Sequence, residues 1–125
     1  MLENDISEES DSPWSSNVVM KLKKNGKWRI CIDYRKLNTI TIADKYPLPL
    51  MDNLLHDVRG TLFMSTIDLH SGFWQIQIRE QDKEKTAFVT PFGMYQFSKM
   101  PFGLKNASAT FQRLINKLND KIINK

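Results

Sequence analysis

The dipeptide Asn25-Gly26, set between two runs of strand-forming residues, constrains this chain more than any other local feature. Residues 18–22 and 28–34 are rich in Val, Ile, Trp and Tyr. Asn followed by Gly tolerates the positive backbone angles of a tight turn, so the segment predicts a β-hairpin. Five basic side chains, Lys21, Lys23, Lys24, Lys27 and Arg29, fall within its nine residues 21–29. Upstream, residues 1–12 are rich in Glu, Asp and Ser and lack an apolar period, which predicts a flexible acidic lead. One domain is expected over residues 13–125, with order beginning near Pro13-Trp14.

Beyond the hairpin, Pro47 and Pro49 punctuate a connection, and Leu50, Leu54, Leu55 and Val58 then share a helical face that Gly60 ends. Residues 62–69 alternate in a period of two, which predicts a strand with Leu62, Met64, Thr66 and Asp68 on one face. Short strands are expected at 76–79, 86–90 and 95–99. The charged turn 80–83 and the Pro91-Phe92-Gly93 turn separate them. Phe111, Leu114, Ile115, Leu118 and Ile122 keep helical spacing, predicting a final helix over 107–122. The fold class is α+β, without internal repeats or a dividing linker.

The chain of 125 residues has room for one small core. Its 41% hydrophobic and 26% charged content argues against wholesale disorder. The net charge of +4 conceals an asymmetry: Glu3, Asp5, Glu8, Glu9 and Asp11 stand among no bases, leaving 18 bases against nine acids and a net +9 in the rest. Such a body attracts polyanions, and nucleic acid fits. A single cysteine, Cys31, excludes an internal disulfide, and with His56 and His70 it cannot assemble a usual zinc site. No apolar run reaches the roughly 20 residues that span a bilayer, and no signal peptide is recognisable, so no membrane partner is expected and the localisation expected is intracellular, in the cytoplasm.

Three longer blocks carry further information: WRICIDYRKLN at 28–38, STIDLHSGFWQ at 65–75 and MPFGLKNASATFQ at 100–112. With SPWSS at 12–16 and YPLP at 46–49, in this order and at these separations, the chain resembles the fingers and early palm of gypsy-type LTR-retrotransposon reverse transcriptases over about residues 7–120. The resemblance implies a partial polymerase fingers/palm fold. It also implies a parent Pol polyprotein that adds deoxynucleotides to a primer on an RNA or DNA template, through two divalent ions, Mg2+ by family, held by carboxylates.

Carried over residue by residue, the resemblance makes Asp68 the first metal-binding and catalytic aspartate. Lys23 and Arg29 become the basic groups that meet the triphosphate of the incoming nucleotide, with Lys21, Lys24 and Lys27 as further nucleic-acid contacts. Phe73 becomes the ring that excludes a 2'-hydroxyl, and Gly103 the turn that approaches the nucleotide. Phe102 stands where retroviral relatives have Gln, so the polar contact of that Gln is not implied. The family's other two metal-binding aspartates lie in an Asp-Asp hairpin, and no Asp-Asp pair occurs in this sequence. The expectation is a fold truncated before that hairpin, without the remainder of the polyprotein, catalytically incompetent alone and given to self-association.

Taken singly, the same residues have plainer readings. Asp68 before Leu-His-Ser-Gly is a turn or cap residue, the lysines keep a hairpin edge solvated, and Phe73 joins an aromatic cluster against a sheet. Two other functions therefore stay open at this point: a non-enzymatic nucleic-acid-binding module, and a functionless product of a decayed element.

Overall fold

A computed structural model describes residues 5–123. Five strands make one sheet: β1 (Ser7–Glu9), β2 (Ser16–Leu22), β3 (Trp28–Asp33), β4 (Phe88–Thr90) and β5 (Gly93–Phe97), in the order β1-β5-β4-β2-β3. All pairings are antiparallel except β2 with β4, where Ser16 faces Phe88 and Asn17 faces Val89. Among the described residues four α-helices join it, α1 (Arg35–Ile40), α2 (Met51–Asp57), the single turn α3 (Glu80–Lys83) and the long α4 (Ala107–Ile123), with short 3-10 turns at Gly72–Gln75 and Glu84–Thr86. The mixture is α+β, as the sequence predicts.

β2 and β3 form the expected hairpin, in register from Asn17 opposite Asp33 to Leu22 opposite Trp28. The turn differs in kind from the one predicted. The Gly26 N–H donates to the Lys23 carbonyl at 3.0 Å, and the Lys23 N–H to the Lys27 carbonyl at 2.8 Å. Only Gly26 has a positive φ, +77°, while Asn25 turns its carboxamide oxygen to accept the Lys27 N–H at 3.1 Å. This is a type I turn closed by a left-handed glycine, the usual three-residue hairpin loop.

Three other expectations are corrected. Residues 7–9, placed in a flexible lead, form edge strand β1: Ser7 is buried opposite Phe97, and the Ile6 carbonyl accepts the Ser98 and Lys99 N–H groups. The alternating acids and small polar residues conceal one apolar anchor, Ile6, that packs against the core. Residues 62–69 form no strand; they are irregular and exposed throughout, Leu62 at 92% and Phe63 at 93%. Alternation marks a segment able to join a sheet, but a strand exists only where a neighbour takes its N–H and C=O groups, and none among the described residues does. Residues 76–79 likewise reduce to one bridge, Gln77 with Lys99.

Tyr34, Phe88 and Phe97 form the buried centre, with Ile6, Val18, Ile32, Leu37, Trp74, Ile78, Tyr95 and Leu104 around it. The Phe88 and Phe97 rings lie 5.0 Å apart and Trp74 lies 5.6 Å from Phe97, the offset, tilted packing that aromatic quadrupoles favour. Tyr34 donates its hydroxyl to the Thr86 carbonyl at 2.8 Å, so its polar end is satisfied inside the core. Burial pushes that phenol far above its usual range. Tyr34 thereby pins the junction of β3 and α1 beneath the sheet.

Candidate functional site

Side chains alternate across a strand, so β2 and β3 divide their residues cleanly between two faces. One carries Val18, Met20 and Leu22 opposite Ile32, Ile30 and Trp28; the other carries Lys21 directly opposite Arg29, and Val19 opposite Cys31. Like charges directly opposed destabilise a hairpin. The Lys21 and Arg29 pair is therefore a local cost that a polyanion would remove.

Arg29 reaches across to the segment after β5. Its guanidinium carbon lies 5.2 Å from the centre of the Phe102 ring, a cation–π contact. Phe102 packs at 4.9 Å on Phe73, which meets Phe111 of α4 edge-on at 5.5 Å. Gly72 makes that approach feasible, because a β-carbon there would stand 3.0 Å from the Phe111 ring. Gly103 follows with φ +96°, and a β-carbon there would meet the Tyr34 ring at 3.5 Å and the Ile32 carbonyl at 3.7 Å. Thus Arg29, Phe73 and Gly103, named from sequence on three separate segments, come together around Phe102.

Lys23, Lys24 and Lys27 lie at the exposed tip of the hairpin, and Lys23 belongs to its loop. The cross-strand neighbour of Arg29 is Lys21. Below them Asp33 binds Arg35 in two-pronged fashion, at 2.7 and 2.9 Å, and the Arg35 guanidinium and N–H hold its carboxyl down at about 2. Sequence reasoning does not single out two further residues. Asn38 donates to the Gly103 carbonyl at 2.8 Å and accepts the Lys105 N–H at 2.9 Å. Asn106 donates to the Ile42 carbonyl at 2.8 Å and accepts the Asp44 N–H at 2.9 Å. Their only sequence signal is a place inside the DYRKLN and LKNAS blocks.

Asp68 is exposed in the segment that precedes Gly72, without a hydrogen bond or ion pair among the described residues. No group of three or more His, Cys, Asp or Glu side chains able to hold a metal occurs among those residues.

The result is a basic hairpin folded toward an aromatic-backed glycine turn, on one five-stranded mixed sheet. A family model described as reverse transcriptase (RNA-dependent DNA polymerase) matches residues 21–125, and the chain belongs to that family. Over its whole length it is 45% identical to the retrovirus-related Pol polyprotein from transposon 297 of Drosophila melanogaster. It is 41% identical, over 93% of its length, to the corresponding polyprotein from transposon gypsy of the same organism. It spans 12% of each polyprotein. The foamy viral protease-reverse transcriptase dRH, solved in complex with double-stranded DNA, superposes with a TM-score of 0.86 at 26% identity, covering 97% of this chain and 21% of that one. The sequence is thus part of an LTR-retrotransposon reverse transcriptase, a family that in general uses divalent metal.

Proposed function

We propose that this chain is the part of a primer-extending polymerase that receives the triphosphate of the incoming deoxynucleotide and guides the RNA or DNA template beside it. The observation that carries the reading is the meeting of Arg29, Phe102 and Gly103 from segments more than seventy residues apart. Arg29 offers a planar fork to phosphate oxygens, and Lys21 across the ladder adds a point charge. Lys23, Lys24 and Lys27 at the tip extend the positive surface along a nucleic-acid backbone. Gly103, at φ +96°, lets the turn adopt a backbone conformation that a side chain would strain, and Phe73 supports the wall that would exclude a 2'-hydroxyl.

In this reading Asp68 contributes one carboxylate to a Mg2+ centre, and clamping both the attacking and the leaving oxygen between two ions needs more. The 125-residue chain therefore binds nucleotide and template but does not join them. The test is a titration with a deoxynucleoside triphosphate followed by amide resonances. Arg29 and Gly103 should move together at one concentration, and Arg29→Glu should abolish both movements. A triphosphate that disturbs neither residue sinks the reading. On a primed RNA template with Mg2+, the chain should extend no more primer than its Asp68→Ala variant, and extension above that level would contradict the claim of incompetence.

A further inference from the structure

Resting on that reading, we infer that Asn38 is a positioning residue, whose carboxamide sets the distance between Arg29 and the Phe102-Gly103 turn. A carboxamide has both a donor and an acceptor end, and Asn38 uses both on one short stretch of backbone. Its nitrogen donates to the Gly103 carbonyl and its oxygen accepts the Lys105 N–H, at 2.8 and 2.9 Å. It grips residues 103–105 as a neighbouring strand would, holding Leu104 between the two bonds against the core. Without it those backbone groups have no other protein partner among the described residues.

The other end of the grip is equally fixed. Asn38 sits on α1, which follows β3 directly, and the buried Tyr34 between them is anchored through its hydroxyl. The Asn38 N–H donates back to the Tyr34 carbonyl at 2.8 Å. From Arg29 the path runs through β3 and the single residue Tyr34 into α1, and the carboxamide carries it across to the turn, beside the Lys105 ammonium that donates to the Thr41 carbonyl at 3.0 Å. Asn106 makes a similar clasp in the reverse direction, but on residues 42 and 44, which belong to neither the hairpin nor the turn. The two asparagines thus have like chemistry, and only one of them touches the nucleotide turn.

That difference supplies the test. Asn38→Ala and Asn106→Ala are made in the 125-residue chain, and each is measured for melting temperature, for the nuclear Overhauser contact between Arg29 and the Phe102 ring, and for deoxyadenosine triphosphate binding. Both should melt somewhat lower. Only Asn38→Ala should lose the Arg29 to Phe102 contact and bind triphosphate about tenfold more weakly, the worth of one or two ordinary hydrogen bonds. Asn38→Asp guards against a variant that fails to fold: its carboxylate cannot donate to Gly103 at neutral pH, and on protonation in acid it can. The contact should then be absent at neutral pH and return as the pH falls. Retention of the contact in Asn38→Ala, an equal effect of Asn106→Ala, or indifference of the Asn38→Asp contact to pH overturns the inference. If wild type keeps the contact yet binds no triphosphate, the functional reading fails while the contact comparison still decides the positioning role.

Discussion

Thr86 is 3% exposed and meets three partners: its carbonyl accepts the Tyr34 hydroxyl, its hydroxyl donates to the Lys83 carbonyl at 2.6 Å, and that same oxygen accepts the Phe97 N–H at 2.9 Å. Tyr34→Phe keeps the ring and leaves the carbonyl without its donor. The expected loss is roughly 1–2 kcal/mol, read as a melting temperature lower by several degrees. A second residue couples the fold to pH. The Glu8 carboxyl is held below its usual range, first by the Gln96 carboxamide and then by the Lys83 ammonium and Ser98 hydroxyl, against the opposing effect of burial. Its folded-state value is the depressed one, so its stabilisation is complete above the unfolded value and is lost as pH falls through the folded one. Amide protection of β1 should weaken in wild type as pH falls below the ordinary glutamate range, and Glu8→Gln should flatten that dependence. The side chain is 40% exposed, so the effect at neutral pH is small.

The hairpin of β2 and β3 was legible in the sequence because everything that makes it is local: alternation, a glycine in the loop, and aromatic and β-branched residues on the strands. α4 was legible for the same reason, its period of 3.6 running from Phe111 to Ile122. The parallel pairing of β2 with β4, and the place of β1 beside β5, were not legible, since only burial across the whole chain selects those neighbours. The site divides in the same way. Arg29, Phe73 and Gly103 could be named from their motif blocks, whereas the platform role of Phe102 and the clasp of Asn38 depend on tertiary approach. The hairpin also permits a prediction in which stability and binding part company. Lys21→Glu replaces an opposed like-charge pair with an attractive one, worth about 0.2–1 kcal/mol to the hairpin. The same change should weaken association with a labelled primer-template, and lower the salt slope by about one counterion or more. Anisotropy at several salt concentrations, beside thermal unfolding, measures both. Weaker binding together with lower stability would mean that Lys21 acts by packing.

Across the whole molecule the apolar surface is unevenly covered. Ile42, Leu62, Phe63 and Ile67 are each at least 88% exposed, and Leu118 and Ile122 of α4 remain open as well. Surfaces of this kind promote association, so the isolated chain should scatter light as more than a monomer at micromolar concentration. Amides of residues 62–69 should exchange rapidly, while those of the hairpin persist. A monodisperse monomer with slow exchange at 62–69 would show that this segment had found a partner in solution. The strand order carries a different consequence, for synthesis on the ribosome. The partners of β2 emerge within moments of it in the case of β3, but Ser7 pairs with Phe97, ninety residues later. At about 5–20 residues per second the first strand waits on the order of ten seconds for its neighbour. Throughout that interval Ile6 has no core to enter, and a translational pause ahead of β5 would lengthen the time in which this edge is open to anything else that binds an extended chain.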